Sequence, residues 1–140
     1  MGRRVVPRTQ KDYELRQTDL WEGTTKGLSS KMKEIVNDKV LNHIKPMPYS
    51  SEPLRFELEG LWSYYKRKTG DRIIFAVCED CRERKLESVN NCVNCEDIPD
   101  NTIMLFAFGG HDIYELLKRK RKKSWKKAKK KSRLATKRQK

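Results

Sequence analysis

The sequence has no apolar run near the ~20 residues that a membrane-spanning helix needs, and its N terminus lacks the apolar stretch of a secretory signal. We therefore expect a cytoplasmic protein. We expect three parts: a basic N-terminal arm over residues 1–12, one domain over residues 13–117 and a basic tail over residues 118–140. Because only about a hundred residues remain for the domain, its core is modest.

Acidic residues are missing from the last 23 positions, which carry fifteen of the 33 Lys and Arg residues. Removing these fifteen leaves 18 basic residues against 19 acidic ones, and the N-terminal arm takes four of the 18. The body between the arms is therefore mildly acidic. Because so many like charges repel one another unless a polyanion neutralises them, the arms predict binding to nucleic acid.

The predicted RNA contacts lie in the two arms. A solvated tail is the plainer alternative, and binding to an anionic membrane surface is a weaker one because the tail has almost no apolar face. Trp125 lies where no core can form, so we expect it to contact RNA or a partner protein. The candidates are Arg3, Arg4, Arg8, Lys118, Arg119, Lys120, Arg121, Lys122, Lys123, Trp125, Lys126, Lys127, Lys129, Lys130, Lys131, Arg133, Lys137 and Arg138.

The four cysteines form two Cys-x-x-Cys pairs, Cys78 with Cys81 and Cys92 with Cys95, separated by ten residues. Each pair can direct two thiolates at one metal, so the pattern predicts one structural Zn²⁺. Four thiolates leave zinc no open position for catalysis. Two disulfides or four unrelated thiols are the alternatives, and the cytoplasm disfavours disulfides.

The first half of the chain predicts a strand and two helices. Residues 13–18 alternate as a strand does, and Asp19 is a candidate N-cap for a short helix interrupted at Gly27. Ser29 or Ser30 caps a second helix running to about Lys45. This helix has an apolar stripe that needs a sheet to cover, formed by Leu28, Met32, Ile35, Val36, Val40 and Ile44.

The second half predicts a hairpin, the cysteine segment, a strand and a helix. Three prolines in residues 46–53 end the second helix, and residues 61–77 form a hairpin that turns at Thr69-Gly70. The cysteine pairs follow as an elaborated hairpin tip before a strand over residues 102–108. Asp112 then caps a closing helix that docks through Ile113, Leu116 and Leu117.

Four sequence blocks carry a resemblance to a known superfamily: Glu52-Pro53-Leu54, residues 58–64 (LEGLWSY), residues 71–75 (DRIIF) and residues 110–114 (GHDIY). Together with the element order, they resemble the RelE/ParE superfamily of ribosome-directed toxins, including its YoeB branch. The resemblance covers residues 13–117. It implies an α+β fold with a small twisted antiparallel sheet and an N-terminal helical pair. The zinc-knuckle insertion in a hairpin and the C-terminal basic helix or tail lie outside the resemblance and are expected from the cysteine spacing and the charge.

Enzymes of that superfamily cut messenger RNA in the ribosomal decoding site by driving a ribose 2′-hydroxyl onto the adjacent phosphate. The resemblance implies Arg72 as the phosphate clamp, Glu52 as the base, and His111 and Tyr114 at the family's terminal histidine and tyrosine positions. Many members carry an arginine where this chain has Asp112. Because a carboxylate there repels the phosphate, we expect little or no cleavage.

The same residues have structural explanations. Glu52 is an exposed loop residue in this interpretation, and Arg72 pairs across the sheet with Glu57 or Glu59. Asp112 acts as a helix cap. The aromatic residues Trp62, Tyr64, Tyr65 and Tyr114 are then amphipathic core residues.

Two functions remain. The one we favour is a ribosome-associated RNA-binding protein, such as a ribosomal protein, with ribosomal RNA and neighbouring ribosomal proteins as partners. Basic extensions on a mildly acidic body, together with a four-cysteine site, are typical of proteins built into archaeal or eukaryotic ribosomes. The alternative is a ribosome-dependent mRNA endoribonuclease of the RelE type, which would have an antitoxin as its partner.

Overall fold

The computed structural model describes residues 12–66, 69–90, 92 and 95–122. The strands are β1 (Glu14–Gln17), β2 (Glu52–Pro53), β3 (Trp62–Lys66), β4 (Asp71–Val77) and β5 (Thr102–Gly109). The helices are α1 (Asp19–Thr25), α2 (Ser30–Lys39), α3 (Cys78–Glu83), α4 (Glu87–Asn90) and α5 (113–122). The order of β1, α1, α2, β3, β4, β5 and α5 predicted from the sequence is confirmed, and the two-residue strand β2 and the short helices α3 and α4 of the cysteine segment are additions to it.

The five strands form one sheet in the order β1-β5-β4-β3-β2. The pairs β3–β4 and β4–β5 are antiparallel, as predicted, and so is the additional pair β2–β3. Strand β1 runs parallel to β5, so the sheet is mixed and not purely antiparallel. Parallel neighbours need a long connection, and here the whole of the intervening chain supplies it. Pro53 is compatible with β2 because that strand lies at the edge of the sheet.

Helices α1 and α2 cover one face of the sheet. Trp21 from α1, Val36 from α2 and Ile44 from the π-turn after α2 pack with the sheet residues Ile73 and Phe75 in one buried cluster. The predicted stripe is therefore confirmed in its buried members. Ser29 caps α2 as predicted, its hydroxyl accepting the N–H of Met32 at 3.1 Å.

The N-cap of α1 differs from the prediction. Thr18 is the cap, because its hydroxyl accepts the backbone N–H of Trp21 at 3.2 Å and Asp19 is already the first helical residue. The Thr18 hydroxyl also donates to the carbonyl of Phe106 at 3.1 Å. The Thr18 side chain therefore both caps α1 and binds it to β5.

The opposite face of the sheet is covered by α5 and by the insertion between β4 and β5. Ile113 and Leu117 pack with Ile74 and Phe106 in a second buried cluster. The docking predicted for the closing helix is confirmed. None of the described helices has the length and apolar character required to span a bilayer.

Candidate active site beside the C-terminal helix

Arg72 lies near the start of β4, opposite Tyr65 on β3. Its guanidinium Nη1 donates to the carbonyl of Gly70 at 2.9 Å, and its Cζ lies 4.7 Å from the ring centroid of Tyr65 and 5.3 Å from that of Tyr114. Cation–π contacts on two rings restrict the guanidinium to a small set of orientations. The side chain is half-buried, so part of it faces solvent.

The two acidic residues expected to pair with Arg72 do not form an ion pair with it. Glu59 lies 3.7 Å from Arg84, and no ion pair among the described residues joins Arg72 to Glu57 or Glu59. The predicted cross-sheet pair is therefore wrong. The residues that hold Arg72 are aromatic instead, which leaves its charge without a carboxylate partner in the described part of the chain.

Tyr114 stands at the start of α5 and connects the helix to the sheet. Its hydroxyl lies 3.0 Å from the hydroxyl of Ser63, which is buried on β3. The ring of His111 meets the Tyr114 ring edge-on, with centroids 5.5 Å apart. Arg72, His111 and Tyr114 therefore meet in space, as the family resemblance implies.

Glu52 lies on β2 in register with Ser63. It is exposed, but on an edge strand and not in the predicted loop. Paired residues of neighbouring antiparallel strands point to the same face, so Glu52 shares a face with Ser63 and with Arg72 beyond it. Glu52 and Arg72 are two strands apart, about 10 Å across the sheet. A pocket of about 410 Å³ at this edge of the sheet is lined by Glu52, by Ser63, Tyr64 and Tyr65 of β3 and by residues that follow α2, such as His43 and Ser50. Arg72, His111 and Tyr114 are not among its lining residues.

Asp112 lies in the turn before α5 and is exposed. Its carbonyl accepts the backbone N–H of Leu116 at 3.4 Å, which places it at the helix N terminus as predicted. One residue from His111, its carboxylate adds negative charge beside the aromatic cluster. Among the residues that the structure describes, Arg72 is therefore the cation of a site flanked by the carboxylates Glu52 and Asp112.

The arrangement offers the groups that phosphodiester chemistry uses. A guanidinium held by aromatic rings can bind a phosphate, a carboxylate can accept a proton, and a phenol or imidazole can donate one. Ser63 and Tyr65 complete the site and were not among the sequence candidates. The signal for them was the alternation of β3: Ser63 and Tyr65 lie on the face opposite the core residues Trp62 and Tyr64.

A solved structure of low sequence identity shares this arrangement of strands and helices. The toxin–antitoxin complex RelBE2 from Mycobacterium tuberculosis matches with a TM-score of 0.50 at 16% identity, covering 71% of this chain and 92% of that one. The chain has a RelE-like fold.

Two E. coli structures are also similar to this RelE-like chain. A RelE mutant in complex with an antitoxin RelBc peptide has a TM-score of 0.47 at 15% identity, covering 76% of this chain and 90% of that one. The isolated RelE toxin has a TM-score of 0.46 at 16% identity, covering 76% and 97%. No protein-family model and no curated protein sequence matches the chain.

The four cysteines of the RelE-like chain lie together, away from the Arg72 cluster. Cys78, Cys81, Cys92 and Cys95 all line one cavity of about 10 Å³, and all are free thiols. Burial raises the pKa of Cys78 to about 11 and that of Cys92 to about 12. The described residues contain no group of three or more His, Cys, Asp or Glu side chains already arranged to hold a metal ion.

Most of the predicted RNA contacts, in residues 1–11 and 123–140, lie outside the described residues. Lys118, Arg119, Lys120 and Lys122 belong to α5 and are at least partly exposed. Arg121 is different, because it is only 8% exposed and donates to carbonyls of the body. Burial lowers its pKa to about 10, so it stays charged at neutral pH. Its guanidinium is not available to RNA in this structure.

Proposed function

We propose that this protein is a ribosome-dependent mRNA endoribonuclease of the RelE type. The proposal is carried by one observation: Arg72, Tyr114 and His111 converge on one face of the sheet, with Glu52 in register beside Ser63. Three separate segments of chain supply these groups.

In the proposed reaction, Glu52 accepts the proton of a ribose 2′-hydroxyl. The 2′-oxygen forms a bond to the adjacent phosphorus while the bond from phosphorus to the 5′-oxygen breaks. Tyr114 or His111 protonates the departing 5′-oxygen, and Arg72 neutralises the charge that develops on the non-bridging oxygens. The products are a 2′,3′-cyclic phosphate and a 5′-hydroxyl.

The basic arms have a part in the same proposal. Their charge brings the acidic body to ribosomal RNA, where the mRNA is held for cleavage. An antitoxin is the partner expected for a toxin of this kind, since the RelBE2 structure is a toxin–antitoxin complex.

A second candidate is a ribosome-associated RNA-binding protein that does not cleave. Asp112 favours it, because an exposed carboxylate next to His111 disfavours a phosphate near Arg72. In that case the arms alone hold the protein on ribosomal RNA, with neighbouring ribosomal proteins as further partners.

The deciding experiment compares wild type with Arg72→Ala on mRNA bound to ribosomes, with cleavage mapped by primer extension. We expect wild type to cleave and Arg72→Ala to lose on the order of 10²–10³ in rate. Arg16→Ala is the matched control, since Arg16 is a half-exposed strand arginine on β1, remote from the site. Absence of cleavage by wild type, with stoichiometric sedimentation on one ribosomal subunit, would replace this proposal with the second candidate.

A further inference from the structure

The insertion between β4 and β5 places one cysteine pair on a rigid support. Cys78 and Cys81 lie one turn apart on α3, which starts where β4 ends, so their side chains share one face of the helix. Asp80 fixes the helix, accepting Nε1 of Trp62 at 3.3 Å and Nε of Arg84 at 3.0 Å. The position of this pair is thus set by the sheet.

Arg82 holds the segment of the second cysteine pair close to α3, which carries the first pair. Its Nη2 donates to the carbonyls of Cys95 and Ile98, each at 2.6 Å, and its Nη1 pairs with Asp100. The same Nη2 lies 3.8 Å from Sγ of Cys95. Arg82 therefore closes the loop and places positive charge beside a sulfur, as donors around metal-bound thiolates do.

Asn90 connects the cysteines to the C-terminal helix. Its Nδ2 donates to Sγ of Cys81 at 3.1 Å, while its Oδ1 accepts Nη2 of Arg121 at 2.5 Å. Arg121 also donates through Nη1 to the carbonyls of Glu57 at 3.2 Å and Glu59 at 2.6 Å. One asparagine thus joins a cysteine sulfur to the only arginine among the described residues of α5 that is buried.

The turn that precedes β3 is held by contacts with the same two elements, the insertion and α5. Gly60 has a φ of +92°, and a Cβ there would collide with Leu86 of the insertion. Arg121 holds the two carbonyls on either side of Leu58 in this turn. The insertion, the turn and α5 therefore meet at one point, directly before the strand that carries Ser63 and Tyr65.

We infer that Cys78, Cys81, Cys92 and Cys95 bind one Zn²⁺, and that Asn90 and Arg121 couple this metal centre to the docking of α5. The cavity that all four cysteines line gives the sulfurs a common space about the size of one ion. Their convergence on zinc requires side-chain rotation from the positions in this structure. Bound metal holds Asn90 through Cys81, Asn90 holds Arg121, and α5 then sets the direction in which the basic tail leaves the body. The inference does not depend on RNA cleavage.

The first test is metal content. The full-length protein, purified without added metal, should contain about one zinc per chain by elemental analysis, and Co²⁺ substitution should give the absorption spectrum of a tetrahedral thiolate site. A Cys92→Ser variant should lose the metal. Zinc below about 0.1 per chain, iron in its place, or two disulfides found by mass spectrometry would each overturn the metal assignment.

The second test is the coupling, measured by hydrogen exchange over residues 113–122. Removing zinc from wild type with a chelator should speed exchange there by about tenfold more than it speeds exchange in β5, because loss of metal also lowers the stability of the whole domain. Asn90→Ala and Arg121→Met, with zinc retained, should show fast exchange already, and chelation should add little to it. The matched controls Asn42→Ala, which loses only an exposed bond to Asp38, and Arg119→Met should behave as wild type. Unchanged exchange in wild type after metal removal would overturn the coupling.

Discussion

The two ends of β4 differ: one carries the candidate catalytic arginine, and the other carries residues that we expect to determine stability. At its start, Arg72 is half-exposed and lies against Tyr65, which is 48% exposed. At its end the strand is buried from Ile73 through Val77 and passes directly into Cys78. One strand therefore carries an accessible cation at one end and a closed cluster of thiols at the other. Substitutions at the open end should change activity, and those at the closed end should change folding.

The largest expected effect is at the closed end. Cys78→Ser should lose the bound metal and lower the free energy of unfolding by more than about 4 kcal/mol, because metal loss removes folding energy outright. Denaturant unfolding with parallel metal analysis measures this. Ser88→Ala, an exposed change in the same insertion, is the control and should unfold like wild type. A Cys78→Ser protein within about 1 kcal/mol of wild type would contradict the prediction.

The second largest effect is expected from the basic tail, whose removal should change neither the site at the start of β4 nor the cysteines at its end. Deleting residues 123–140 removes ten Lys or Arg residues. Affinity for ribosomal RNA should fall by on the order of 10³, and the log–log salt dependence should flatten by about 0.7–0.9 for each phosphate that the tail neutralises. Metal content and melting temperature should stay unchanged. Equal salt dependence with and without the tail would show that binding occurs through the body.

At the open end, Tyr114→Phe removes the hydroxyl that meets Ser63. If this phenol protonates the leaving oxygen, cleavage should fall by about 10²-fold, whereas the unfolding free energy should fall by only about 1 kcal/mol. Ser63→Ala is the control, since it removes the same hydrogen bond but keeps the phenol. Equal losses of activity in both variants would show that the bond only positions Tyr114.

The smallest effect expected is a gain. Asp112→Arg replaces a carboxylate beside the site with a cation and should raise the cleavage rate by about tenfold, since one phosphate-binding cation is worth this much or more. Asp38→Arg makes the same charge change at an exposed position on α2 and should leave the rate unchanged. A rate for Asp112→Arg at or below that of wild type would show that Asp112 does not oppose phosphate binding.

Local patterns were sufficient to predict the helices α1, α2 and α5 and four of the five strands. The stripe on α2, the hairpin turn at Thr69-Gly70 and the apolar run of β5 each lie within a short window, where side-chain periodicity reports the buried face. β2, α3 and α4 escaped prediction because segments of 2, 6 and 4 residues are too short to show a period. The cap of α1 was shifted by one position because Thr18 and Asp19 are both good caps, and only the contact of Thr18 with β5 distinguishes them.

The candidate site was predicted only in part. Arg72, His111 and Tyr114 came from the family resemblance, and the structure brings them together. The pairing of Arg72 with Glu57 or Glu59 was wrong because opposite charge and an assumed cross-strand position suggested an ion pair, whereas Glu59 lies by Arg84 of the insertion. Arg121 shows the same limit, because a basic run gives no sign that one member is buried.

By itself the sequence determined the elements, the separation of charge between body and ends, and the two cysteine pairs, because each depends on residues that are neighbours along the chain. Tertiary structure alone decided which groups meet. Ser63 and Tyr114 are 51 positions apart, and Asn90 and Arg121 are 31 apart. Such contacts follow from how strands pair and helices dock, since the free energy that selects them comes from burying the whole core and not from any local window.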